Sequence, residues 1–142
     1  MPEKETLERA RKDKREGKAP STQAGEFVRE EIEHIREGKH GARSTKQAIA
    51  IGLAKARRAG VELPPSESAS EETKEQAKRD LRKAGKKPST KRSRASRKAL
   101  KKEGRSAASK EALSRQARKA AKKRSKASRS RSAKKAAKTR KK

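Results

Sequence analysis

Cysteine is absent from the 142-residue chain, which excludes disulfides, thiolate metal sites and thiol nucleophiles. The aromatic side chains come down to one, Phe27, and the histidines to two, His34 and His40. Ile, Leu, Val, Phe and Met together supply 14 residues. That is too little apolar area to offset the ordering entropy of the whole backbone, and such a composition with high net charge signals disorder. No apolar run approaches the length of a membrane span. The opening Met1-Pro2-Glu3-Lys4-Glu5 lacks the apolar stretch of a signal peptide, so secretion by that route is not expected.

What the chain has in abundance is positive charge, and it is spread unevenly. There are 46 Lys and Arg against 18 Asp and Glu, a net charge of +28. Residues 1–80 hold 18 basic and 16 acidic side chains, whereas residues 81–142 hold 28 basic and 2 acidic. The second stretch has only Leu81, Leu100 and Leu113 as large apolar residues. Blocks of like charge repel, stay extended and serve as interaction tails. The matching partner is a polyanion, and nucleic acid is the commonest one in a cell. A membrane partner is not expected, because the tail lacks the Trp, Phe or Leu face that an interfacial helix inserts.

Four segments follow. Residues 1–20 read as a polar N-terminal helix or disordered segment, with Leu7 and Ala10 its only apolar face. Residues 21–63 form a helical hairpin domain. Residues 64–88 are a linker with a weak helix, and residues 89–142 a basic low-complexity tail. The expected fold class is mostly α with extensive disorder: a small antiparallel helical hairpin plus a disordered or conditionally helical tail. In the hairpin, Phe27, Val28, Ile32 and Ile35 recur at helical spacing, with Ser21 or Thr22 to cap and Gly38 to stop. A second helix opens on Ser44-Thr45-Lys46-Gln47, where Ser with Gln three residues on makes a capping box. Ile49, Gly52, Leu53 and Ala56 share one side of it, Gly60 ends it, and Val61 and Leu63 can fold back over the apolar face. Ile51 falls on the polar side, either as a self-association contact or as a singly exposed apolar residue. Ser68 with Glu71 is a further candidate capping box. In the tail, Ala, Lys and Arg favour helix, but repulsion opposes it until phosphates neutralise the charge.

The stretch Ser44-Thr45-Lys46-Gln47-Ala48-Ile49-Ala50-Ile51-Gly52-Leu53-Ala54-Lys55-Ala56-Arg57-Arg58-Ala59-Gly60 resembles a small Lys-rich bacterial domain of unknown function. The Phe27–Gly38 helix and the Gly38-Lys39-His40-Gly41 loop fit that likeness too, with Thr45 where Arg is usual. Some members of that family are labelled plasmid-stabilisation or DNA-binding proteins. The resemblance implies a bacterial origin and supplies no catalytic residues. The Ala/Lys/Arg/Ser tail is similar in composition to linker-histone tails and bacterial histone-like proteins.

No enzyme is expected. Glu30, Glu31, Glu33, Glu71 and Glu72 sit on helices with basic neighbours and without the apolar pocket that retunes a carboxyl for acid–base work. No metal site and no cofactor are expected, since His34 and His40 read as exposed side chains. The loop from Gly38 to Arg43 runs into a helix N-terminus, where free amides and the helix dipole favour an anion. Lys39, His40, Arg43, Lys46, Arg57 and Arg58 are the candidate phosphate contacts there. The nucleic-acid-binding candidates in the linker and tail are Lys86, Lys87, Lys91, Arg92, Arg94, Arg97, Lys98, Lys101, Lys102, Arg105, Arg115, Arg118, Lys119, Lys122, Lys123, Arg124, Lys126, Arg129, Arg131, Lys134, Lys135, Lys138 and Arg140. Together they point to a cytoplasmic, nucleoid-associated, histone-like protein that neutralises duplex DNA phosphate largely without reading sequence, its hairpin docking or weakly self-associating through residues 21–63. The alternatives are an RNA- or ribosome-associated basic protein, or a partner-binding plasmid-maintenance protein.

Overall fold

A computed structural model of the chain describes residues 2–65, 69–86, 89–124 and 126–140. They form α1 (Lys4–Arg15), α2 (Pro20–Arg36), α3 (Thr45–Arg58), α4 (Glu71–Arg82), α5 (Thr90–Lys101), α6 (Lys110–Lys123) and α7 (Lys126–Arg140). A single 3-10 turn, Ser106–Ala108, follows α5. The protein is all-helical among the described residues, without a strand. It divides into two compact units, Met1–Ser109 and Lys110–Lys142.

In the first unit α2 and α3 pack along one another. Pro20 opens α2 at its first helical position, where a missing N–H is no loss. Ala19 is therefore the N-cap, and Ser21 and Thr22 stand inside the helix rather than capping it. Ser44 caps α3: its Oγ accepts the Gln47 amide at 3.1 Å, and Gln47 Oε1 accepts the Arg43 amide at 2.6 Å. Gly38 at φ +81° ends α2, and the Lys39 amide then donates back to the His34 carbonyl at 3.0 Å. Gly60 does the same for α3, and the Val61 amide reaches Ala56 O at 3.0 Å, which turns Val61 into the core.

The face that α3 buries is made of small residues. Ala48, Gly52 and Ala56 point at α2, while Ile49 and Leu53, expected as core, are only half-buried. The reason is distance: a Cβ on Gly52 would lie 2.6 Å from Val28 Cα, so the two backbones nearly touch. The core cluster joins Ala10, Ala24, Phe27, Ala56 and Val61, with Leu7, Leu53 and Leu63 packed on it. Leu7 and Ala10 bring α1 onto the pair as a third helix, clamped by Arg9 Nε on Glu26 Oε2 at 3.0 Å. On the other side α4 starts at its Ser70 cap, which accepts the Thr73 amide at 3.2 Å, and buries Ala77 and Asp80. Ser68, expected in a capping box with Glu71, lies outside the described residues.

The unit does not stop at the hairpin or the linker. Residues 100–108 dock on the α2–α3 loop through four hydrogen bonds. The Gly41 and Ala42 amides donate to Leu100 O and Gly104 O at 2.8 and 3.1 Å. Thr45 Oγ1 donates to Ala107 O at 2.6 Å and Arg36 Nε to Ala108 O at 2.9 Å. A Cβ on Gly41 would run into the Glu103 carbonyl, so only glycine admits the segment this closely. Ala107 and Ala108, placed by composition in the tail, are buried.

In the second unit α6 has Ala112, Leu113, Ser114, Gln116 and Ala121 half-buried and no buried residue. On α7, Lys126, Arg129, Arg131, Lys134 and Lys135 fall on all sides, so its helicity rests on Ala, Lys and Arg propensity alone. Among the described residues no helix is long and apolar enough to cross a membrane.

Gly52→Ala tests the close α2–α3 contact. On an exposed helix this change gains about 1 kcal/mol of propensity. Here the new methyl meets the Val28 backbone, and overpacking of about 1–3 kcal/mol outweighs that gain. Urea denaturation of the variant is expected to show a lower midpoint than wild type, and a raised midpoint would contradict the contact.

Candidate nucleic-acid interface

Among the described residues, every Lys and Arg from residue 81 onward is exposed. Lys86, Lys91, Arg92, Arg94, Arg97, Lys98, Lys101, Lys102 and Arg105 are exposed in the first unit. Arg115, Arg118, Lys119, Lys122, Lys123, Arg124, Lys126, Arg129, Arg131, Lys134, Lys135, Lys138 and Arg140 are exposed in the second. Lys87 lies outside the described residues. Several of these arginines are steadied by serines one turn away: Arg118 Nη2 donates to Ser114 Oγ at 2.9 Å, and Arg124 holds Ser128 Oγ at 3.1 Å. Such bonds orient guanidinium groups without neutralising them, so their charge stays available to a phosphate.

The six candidates around the α2–α3 loop divide differently. Lys46 and Arg43 are exposed. Lys39 is exposed but ion-paired, 3.3 Å from Glu37 and 3.4 Å from Glu3, and those hydrogen bonds, Glu37's first, raise its pKa. Arg57 is turned inward, with Nε on the Leu63 carbonyl at 2.9 Å. Burial lowers its pKa, and the nearby Asp80 carboxylate partly offsets that. Arg58 grips the buried Asp80, its Nε and Nη2 both 3.2 Å from Oδ1, while Gln76 Nε2 donates to the same oxygen at 3.2 Å. Arg57 and Arg58 thus both make contacts within the fold. The anion cradle expected at the loop is also largely taken, since the Gly41, Ala42 and Arg43 amides all donate within the protein. Instead, Lys101 and Arg105 come up to Gly38, His40, Gly41 and Glu103 around an open cleft.

Both histidines depart from the exposed positions expected of them. Their rings meet edge to face with centroids 6.1 Å apart. His40 Nδ1 stands 2.9 Å from the Gly41 carbonyl and Nε2 3.1 Å from Glu31 Oε2. Lys55 Nζ pairs with the other Glu31 oxygen. His34 Nε2 is 3.1 Å from Glu3 Oε1. Glu30 and Glu31, read from sequence as helix residues among basic neighbours, are 2 % and 0 % exposed. Glu30 Oε1 accepts the Glu3 amide at 2.6 Å and Thr6 Oγ1 at 3.4 Å, so it caps α1, whose own N-cap side chain makes no such bond. No local signal marks these acids as buried, because their partners Glu3, Thr6 and Lys55 lie 24 to 27 residues away and His40 is brought back only by the turn after α2.

A model of a family of unknown function (DUF6496) matches residues 14–67 of the chain. No curated protein and no solved structure matches it.

Two measurements check this geometry. Arg58→Ala leaves Asp80 buried without its cation. Arg58 is itself 45 % exposed, so the loss is expected at about 1–3 kcal/mol rather than the larger figure for a fully buried pair. The hydrogen bond from His34, then that from Lys39, lowers the Glu3 pKa. A carboxyl NMR titration is expected to place its midpoint below that of an ordinary glutamate, and His34→Gln to raise it. Because the folded value is the lower one, the Glu3 contribution to stability is present above the unfolded carboxyl pKa, about 4.3. It is lost as pH falls through the folded value.

Proposed function

We propose that the protein is a non-enzymatic nucleic-acid-binding protein, nucleoid-associated and histone-like, that neutralises duplex DNA phosphate largely without reading sequence. One observation carries the reading: residues 81–142 hold 28 basic and 2 acidic side chains, and every described Lys and Arg of that stretch is exposed. Duplex DNA presents about one charge per 1.7 Å, and contacts of this kind need charge density rather than a fixed order of residues. The scarcity of aromatics supports duplex over single-stranded targets, which rely on base stacking. In this reading the helices of the second unit exchange with unfolded forms in the free chain. Phosphates favour the helix by removing repulsion along α7, which has no acidic residue. The α1–α4 bundle docks a partner or a second copy, and Lys101 and Arg105 extend the basic surface to the α2–α3 loop.

The test is a salt titration on two unrelated duplexes with three proteins. These are the full chain, the chain ending at Ser109, and a full-length variant with the Lys and Arg of α6 and α7 changed to Gln. With roughly 6–10 phosphate contacts, the full chain is expected to lose about 10³–10⁵-fold in affinity between 50 and 200 mM salt. The other two are expected to bind more weakly and with a shallower slope. Equal slopes for all three, or strong preference for one duplex, would overturn the reading. Tighter binding to RNA than to either duplex would move the function to the RNA-associated class.

A further inference from the structure

We propose that Glu31, His34 and His40 form a binding site for a divalent transition-metal ion of the zinc class. One ligand atom from each of the three lies within 4.8 Å of the other two. Glu31 and His34 stand one turn apart on α2, the i,i+3 carboxylate–histidine spacing that puts two ligands on one helix face. The loop after Gly38 folds the third ligand, His40, back over them. Two imidazoles and a carboxylate are the ligand types zinc takes in sites with an open fourth position. Zinc bonds of about 2.0–2.1 Å at the tetrahedral angle set ligand atoms about 3.3 Å apart. His40 Nε2 and Glu31 Oε2 are already 3.1 Å apart.

Hydrogen bonding argues for a cation between those two atoms. The Gly41 carbonyl 2.9 Å from His40 Nδ1 can only accept, so Nδ1 carries the hydrogen. In a neutral ring Nε2 then presents a lone pair to the Glu31 carboxylate. Two acceptors facing each other in a buried place repel unless a proton or a metal ion sits between them. The bond from Nδ1 to a backbone carbonyl is also the outer-shell contact that orients metal-bound histidines. Burial points the same way: Glu31 Oε2 and Glu30 Oε2 are buried without a hydrogen-bond partner, and buried charges are paired or coordinate metals. Lys55 engages only the other Glu31 oxygen, which fixes the carboxylate plane and leaves Oε2 to the ion. Glu3, Glu30 and His34 form a second set within 4.8 Å that shares His34 with the first. An ion held here joins the end of α2 to the loop on which residues 100–108 dock.

The experiment uses the untagged full-length chain, stripped of metal and titrated with Zn²⁺ or Co²⁺. The chain has no other histidine, so imidazole coordination reports on these two residues alone. Expected are 1:1 binding of Zn²⁺, a Co²⁺ visible spectrum of nitrogen and oxygen ligation, and shifted ¹⁵N resonances of both rings. Zn²⁺ is also expected to raise the Tm. His34→Gln and His40→Gln are each expected to weaken Zn²⁺ binding at least tenfold and to abolish the Tm rise. Should either variant fail to fold, the ¹⁵N and Co²⁺ spectra of the wild type decide. Imidazole resonances unmoved by stoichiometric Zn²⁺ would overturn the proposal and leave a proton, as His40 imidazolium, between Nε2 and Glu31. Equal Zn²⁺ affinity in folded wild type and variants would overturn it too.

Discussion

The seating of α3 on the backbone of α2 at Gly52 and Val28 is the contact on which the first unit rests. A chain with one aromatic and few large aliphatics cannot fill a wide gap between helices. Its helices must come close, and close approach demands small side chains at the seam. Ala24, Ala48, Gly52 and Ala56 answer that demand, and Phe27 and Ile35 fill what space remains. The larger Ile49 and Leu53 are left at the margin, where Leu53 packs on the cluster made with α1 and Val61.

A core so small leaves much of the cohesion to buried acids. Glu30 takes the N-terminus of α1, Glu31 takes Lys55 of α3 and His40 of the loop, and Asp80 takes Arg58, joining α4 to α3. Three carboxylates thus tie four helices, each by a partner distant in sequence. Such ties are directional. They select one arrangement among the many that a thin apolar stripe permits, but removing one partner leaves a desolvated charge behind. In a protein of net charge +28, gathering 16 of the 18 acids in residues 1–80 also lessens the self-repulsion of the first unit.

Local signals were legible in the sequence. The helical periodicity around Phe27 and Ile35, the stops at Gly38 and Gly60, the Ser44–Gln47 cap and the return of Val61 all follow from rules that operate within a few residues. The choice of face on α3 did not, because hydrophobicity ranks Ile49 above Ala48 whereas a close seam ranks them the other way. Nor did the roles of Glu30, Glu31, Arg57 and Arg58, since a charged residue on a helix reads as solvated unless its partner is known. The tail showed its charge plainly, yet Ala107 and Ala108 gave no sign of burial, because their partners Thr45 and Arg36 are 62 and 72 residues away. The two histidines are six positions apart, and only the turn at Gly38 brings their rings together.

Docking of residues 100–108 on the α2–α3 loop has a consequence for the order in which the chain acquires structure. The contacts of α1 through α4 join neighbours in sequence and can form early, whereas the docked segment closes a loop of more than sixty residues. On a ribosome it is synthesised after the bundle that receives it, so the bundle must wait with its loop amides in water. In the finished protein a release of the same few bonds would be sub-global rather than total. The segment is therefore a latch with its own free energy, able to lift while the bundle beneath stays folded, and α5 lies on the strap that such a release would slacken.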